Sequence, residues 1–306
     1  MAQISKITYL IGGSEYASGI DISKYNVYKN GIYRETDYAQ LQNVINALDF
    51  IILRAGYWGY KSDQPWTDER FEEYYENILL PNPEIIRGAY WYALAQATAQ
   101  EQTDYFINTC LKDKDFDFIV VDFEESNNIM SNAFAEIHCD MLDILQAEYP
   151  NKKIFTYSRY GLYENWLAGT RADNYPYWHA QYPWRVWQPN DDSFVNWWRQ
   201  VFEVQTYEPD MPSTRVGDDD FGIWQCGGDQ TWIGEDFGFY NPNIDVNVTK
   251  LPKDLWIEYI GVPERLKEDD PIIIPPVPKP PIVKPPIIKP PNWLCRKLGC
   301  NFPELK

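Results

Sequence analysis

Residues 118–128 read FIVVDFEESNN: an apolar run ends in two carboxylic acids and then turns polar. Asp122 and Glu124 are two residues apart, so on an extended strand they face the same way while Phe123 faces the other. Two carboxyl groups confined together push their pKa values apart, and one of them stays protonated near neutrality. A protonated acid beside an ionised partner is what glycoside cleavage requires. Two more acids sit in apolar, strand-like surroundings, Asp21 in GIDIS and Asp245 in NIDVNV. Such a side chain is costly to bury unless it faces a polar site. Tyr157, in KIFTYS, is a hydroxyl donor at a strand end. Tyr90, Trp91, Tyr92, Trp178, Gln181, Trp224 and Gln225 are candidates for stacking on sugar rings and bonding their hydroxyls. Because side chains alternate along a strand, only some of these can share one lumen.

The elements that must position these groups alternate in type. Strands are predicted at 18–23, 49–57, 85–93, 117–123 and 153–158, and helices at about 37–48, 67–80, 97–112 and 131–149. Several strands are continuous apolar runs, as parallel strands covered on both faces should be. The last helix is the clearest: Ser131 can cap it, Phe134, Ile137, Met141, Leu142 and Leu145 recur at helical spacing, and Pro150 follows. Beyond residue 160 strands continue at 176–182, 221–226 and 243–248 with little helix between. The fold expected is α/β, an irregular TIM-type barrel of five β/α units followed by three strands. Its active groups should lie at the strands' C-terminal ends. Strands one and eight are neighbours in a closed barrel, which brings Asp21 and Asp245 toward the Asp122/Glu124 mouth.

Three divisions are expected: a catalytic barrel over 1–262, a Pro-rich linker over 263–291, and a short basic peptide over 292–306. Repeats of PPxxK and ten prolines between 271 and 291 dictate a stiff polyproline II spacer on the order of 50 Å long. The terminal peptide is too short for its own core and reads as a disordered end, a docking peptide or the stub of a lost module, with docking the preferred of the three. The segment 183–220 is long for a connection and holds Trp184, Trp187, Trp197, Trp198 and the run Asp218–Asp220, read as a binding wall and a solvated loop.

Net charge is −18, and residues 1–250 alone carry 18 basic against 38 acidic groups. That body offers nothing to neutralise phosphates, which argues against nucleic acid, and nothing to attract an anionic membrane. No run reaches 18 apolar residues, so membrane insertion is not expected. The five cysteines and two histidines lack metal-site spacing, so no metal or other cofactor is expected. Cys110 and Cys139 read as packing residues, and Cys295 and Cys300 as a pair that can bridge in an oxidising compartment. The first residues lack the pattern of a signal peptide.

The ordered set GIDIS, FIILRAGY, RGAYWYA, VDFE, KIFTYS, WHAQY, IWQC and IDVN resembles glycoside hydrolase family 25 over roughly residues 17–250. These are the lysozymes, or N-acetylmuramidases, of phage endolysins and of some bacteria and fungi. The resemblance implies cleavage of bacterial peptidoglycan between N-acetylmuramic acid and N-acetylglucosamine. It makes Glu124 the general acid, Asp122 its partner, and Asp21 and Asp245 groups that tune the pair and hold the sugar. It also implies action in the host cytoplasm and then the wall after pore formation, or carriage on a virion. Asn26 stands where such proteins often have Gln, and the 183–220 insertion is long. Two other readings remain open at this point. A family 18 chitinase would show DxxDxDxE, but that register here gives Asp117, Val120, Asp122 and Glu124, without the second Asp. An inactive glycan-binding or virion protein could keep the barrel, although four acids are hard to explain on a retired site.

Overall fold

The structure is a computed structural model that describes residues 16–124, 129–182, 209–215, 221–228 and 231–261. Eight strands follow one another around a closed barrel: β1 (Tyr16–Ile22), β2 (Phe50–Gly59), β3 (Ile86–Tyr92), β4 (Phe118–Asp122), β5 (Lys153–Arg159), β6 (Tyr177–Ala180), β7 (Phe221–Gly227) and β8 (Asp245–Pro252). β1 to β7 run parallel, and β8 is antiparallel to both β7 and β1, which it joins to close the ring.

Helices follow the first five strands. They are α1 (Tyr38–Val44), α2 (Phe71–Tyr74, continuing as a π-helical segment Tyr75–Leu79), α3 (Ala99–Tyr105, continuing through Phe106–Leu111), α4 (Asn132–Glu148) and α5 (Tyr160–Leu162, continuing through Tyr163–Leu167). Thr98 and Glu101 form a reciprocal capping box at α3, and the Ser131 hydroxyl accepts from Phe134 N–H at α4. Both satisfy amides that a helix start leaves unpaired. The architecture is therefore the expected one of five β/α units and three strands.

Alternation on β4 builds two cores at once. Ile119, Val121 and Phe123 pack outward under the helices, while Phe118 and Val120 pack into the barrel. Phe123 stacks on Phe134 of α4 at 4.6 Å, which leaves Asp122 to face the lumen. Val120, the position where a chitinase signature has Asp, is fully buried in the inner core. Phe50, Phe118 and Phe155 form the barrel floor. Each has a neighbouring glycine, Gly19, Gly88 and Gly222, where a Cβ would collide with its ring.

The floor is closed by a helix that the sequence pattern did not announce, α6 (Lys253–Ile260). Its Trp256 is fully buried and lies 5.9–6.1 Å from the rings of all three floor phenylalanines. A second addition is a short strand, Gln64–Thr67, antiparallel to the outer half of β2. Its Pro65 is tolerated because the strand lies at an edge. That strand takes Thr67, the first residue of the helix expected at 67–80; a turn follows, and the helix begins only at Phe71.

The chain divides by contacts between Asp269 and Asp270. The Pro-rich linker 263–291, the peptide 292–306, Cys295, Cys300, Trp184, Trp187, Trp197, Trp198 and the Asp218–Asp220 run lie outside the described residues. Cys110, Cys139 and Cys226 are buried free thiols. His138 and His179 are also interior. His138 packs edge-on against Phe123 and pairs with Thr156 at 2.7 Å, and burial pushes its pKa down to about 3.

Trp256→Ala removes the plug shared by three rings and should destabilise the barrel by about 3–5 kcal/mol. A large drop in the urea midpoint is expected; an unchanged midpoint would show that α6 is not part of the cooperative core.

Candidate active site

At the mouth of the barrel lies a cavity of about 540 Å³. Asp21 from β1, Asp122 and Glu124 from the end of β4, and Asp245 from the start of β8 all line it. Three of these acids come from C-terminal strand ends. Asp245 instead opens its strand, because β8 runs the other way and its first residue is the one at the mouth.

Asp21 and Asp245 are direct cross-strand partners in the β1–β8 pairing. Gly228 is bare at this point: a Cβ there would fall 2.2 Å from Asp245 Oδ1. The Oδ2 atom of Asp21 accepts from Gln225 Nε2 at 2.8 Å and from Asn247 Nδ2 at 2.7 Å. Burial nevertheless outweighs these bonds and raises the Asp21 pKa to about 6. Asp245 is raised well above the usual carboxylate range, first by burial and then by the charge of Asp21 and a hydrogen bond to it. A protonated Asp245 donating to Asp21 relieves the repulsion.

Asp122 is buried, and its Oδ1 has no hydrogen-bond partner among the described residues. Its pKa is raised well above the usual range by burial and the Glu124 charge, while Arg54 opposes the rise. Glu124 is half-buried, and the Tyr157 hydroxyl reaches its Oε1 at 3.4 Å. That hydroxyl also donates to Gln225 Oε1 at 2.8 Å, as does Tyr182 at 2.6 Å. A chain of polar contacts thus runs from Asp21 through Gln225 and Tyr157 to Glu124.

The structure brings Tyr90, Tyr92, Tyr157, Trp178 and Gln225 to the cavity along with the four acids. Trp178 is almost fully buried beneath it, with its indole N–H given to Asn247 Oδ1 at 2.8 Å and its ring covered by Tyr90 and Tyr157. It supports the floor of the site. Trp91, Trp224 and Gln181 are placed elsewhere. Strand alternation turns Trp91 and Trp224 into the outer core, where their indoles donate to Gln102 Oε1 and to the Gln181 carbonyl. Past the end of β6, the Gln181 side chain pairs with Asp210.

Arg54 was missed as a site residue. It is buried in the apolar run FIILRAGY, the same signal that exposed Asp21, and it lines the cavity while its Nε donates to Asp68 Oδ2 at 2.7 Å. Tyr25, Tyr57 and Tyr182 also line the mouth. Tyr57 joins because β2 slips register between Arg54 and Gly56. This bulge sends both Arg54 and Tyr57, three residues apart, into one cavity.

A barrel with carboxylates converging on a polar mouth is the frame of a glycosidase, and the chain is one of lysozyme type. It belongs to the glycosyl hydrolases family 25, whose model matches residues 20–205. Asp245, Gln225 and Asn247 lie beyond that span and complete the site from the closing strands. Solved structures of similar fold include a family 25 glycosyl hydrolase from Bacillus anthracis (TM-score 0.53, 17% identity, covering 80% of this chain and 92% of that one). Another is the muramidase of Acremonium alcalophilum (0.52, 15%, 80% and 98%). A third is the catalytic domain of endolysin ply40 from bacteriophage P40 of Listeria monocytogenes (0.53, 17%, 80% and 98%). Comparison with curated protein sequences returns no significant match.

The raised Asp21 pKa has a cost in stability. Between its ordinary 3.8 and about 6 the unfolded chain binds fewer protons than the folded one. Stability is therefore fully present below pH 3.8 and declines as pH rises to about 6, by roughly 1.4 kcal/mol for each unit. Asp21→Asn should melt higher than wild type at pH 7, by an amount that shrinks toward zero near pH 4. An equal difference at both pH values would contradict the burial argument.

Proposed function

We propose that this chain cleaves the β-1,4 bond between N-acetylmuramic acid and N-acetylglucosamine of bacterial peptidoglycan, with Glu124 as general acid and Asp122 assisting. The observation that carries the reading is the set of two carboxyl groups from one strand end in a cavity with two more from β1 and β8. Family membership and the muramidase among the similar folds support the substrate.

Glu124 protonates the glycosidic oxygen as the bond to the anomeric carbon breaks; water then adds to that carbon and returns a proton to the Glu124 carboxylate. With the pair's shared proton on Glu124, the carboxylate charge that adds to burial in raising Asp122 is gone. An ionised Asp122, favoured by Arg54, then either stabilises the positive charge growing on the sugar or orients the substrate's acetamido group to do so. The Tyr157 proton, directed at Gln225 while Glu124 is protonated, can turn to the Glu124 carboxylate once the acid has given its proton away. Tyr182 then keeps Gln225 Oε1 satisfied. Asp21, ionised at neutral pH beside a protonated Asp245, holds negative potential behind the reacting centre, which favours a cationic transition state. A lytic role of the endolysin or virion-borne kind is the setting that goes with this chemistry.

Glu124→Gln should clear purified bacterial walls roughly 10²–10⁴-fold more slowly than wild type, with an unchanged circular dichroism spectrum. Equal clearing removes Glu124 from the mechanism. New reducing ends, and no new free amines, are expected in the wild-type digest. We also infer a tether in residues 271–306. Deleting them should leave hydrolysis of soluble wall fragments intact and weaken retention on intact walls or particles; undiminished retention refutes the tether.

A further inference from the structure

The outer half of β2 and the strand Gln64–Thr67 form a hairpin beside the cavity mouth. One side of it is anchored. Trp58 is buried against Leu94 and Ala97, and its indole N–H donates to Asp63 Oδ1 at 3.2 Å. Tyr57, next to it, lies on the opposite face and points into the cavity, directly across the hairpin from Trp66. Directly opposed residues share a face of the sheet.

Gly59 sets where the Trp66 ring goes. A Cβ at Gly59 would meet Trp66 Nε1 at 2.6 Å and Cδ1 at 2.8 Å, so the indole lies across bare backbone. Its N–H is held by Ser62 Oγ at 2.9 Å. The ring is thus fixed in place, yet Trp66 is 50% exposed and Tyr60, which lines the cavity, is 54% exposed. Fixed aromatic rings left in water at the edge of a polar cleft present flat apolar faces to a ligand.

We propose that Trp66, linked to the cavity by Tyr57 and Tyr60, is a stacking subsite for the glycan strand leaving the cleavage site. The occupant follows from continuity. The rings extend the wall of the cavity, so what reaches Trp66 is the remainder of the chain held there. Pyranose rings offer the flat C–H faces that an indole accepts. The inference rests on the glycan substrate proposed above and adds that strands longer than the cleaved repeat are preferred.

The test compares peptide-free glycan strands with a trimmed fragment of two disaccharide repeats, using wild type, Trp66→Ala, Trp66→Tyr and Gly59→Ala. In Trp66→Ala the ratio of kcat/KM on long strands to that on the short fragment should fall roughly tenfold, the order of one lost aromatic contact. The loss should appear in KM, and Trp66→Tyr should restore most of it. Gly59→Ala keeps every aromatic residue but displaces the indole, and should lower the ratio in the same direction. An unchanged ratio in Trp66→Ala overturns the subsite. A second arm measures retention of the full-length Glu124→Gln protein on the same peptide-free strands, with and without Trp66→Ala. Trp66-dependent retention with no cleavage by wild type would refute the hydrolase reading and keep the subsite. Cleavage by wild type with Trp66-independent retention would do the reverse.

Discussion

The pairing of β1 with β8 is the constraint on which the site depends. It closes the barrel, and its register sets Asp21 directly against Asp245. Two buried carboxyl groups at that spacing repel unless one keeps its proton. The surroundings are arranged around the problem: two amide donors converge on one Asp21 oxygen, Gly228 makes room for Asp245, and Trp178 steadies Asn247 from below. None of these groups lowers the Asp21 pKa to its ordinary value, so the mouth keeps stored electrostatic strain. Stability for that strain comes from the opposite end, where Trp256 and three phenylalanines fill the floor. One end of the barrel is built for packing and the other for charge.

The β2 bulge performs a similar division within a single strand. Before it, Phe50 and Ile52 fill the inner core and Arg54 reaches the cavity. After it, the strand leaves the barrel, and Tyr57 remains on the cavity side while Trp58 anchors the far side. Without the slip, strict alternation would turn Tyr57 away from the face that Arg54 occupies. Asp68, at the foot of the hairpin, holds Arg54 and also accepts from the Lys24 amide, tying the loop after β1 to the same support.

Much of this was legible in the sequence because the barrel strands are apolar runs interrupted by rare polar residues. Asp21, Asp122, Glu124 and Asp245 stood out as charges in or beside such runs, and all four reach one cavity. Arg54 carries the same signal inside FIILRAGY, a charge in an apolar strand, but its role becomes visible only with Asp68 and the cavity beside it. Trp91 and Trp224 were harder. Each neighbours a residue that does reach the mouth, and a one-residue change of face cannot be read from aromatic content alone. The Gln64–Thr67 strand has too few residues for a period and contains a proline. The final helix was hidden for another reason: it is only eight residues long, and Trp256 acquires its meaning only from phenylalanines far away in the chain.

The distance along the chain between the partners of Asp21 bears on how the molecule comes to exist. Its two hydrogen-bond donors lie 204 and 226 residues downstream. Closing so long a loop carries an entropic penalty that few early contacts offset, so barrel closure belongs late in folding. During synthesis the β/α units can begin to condense as they emerge, but the acidic mouth has no shape until β7 and β8 arrive. A partly made chain therefore holds Asp122 and Glu124 without the wall opposite them.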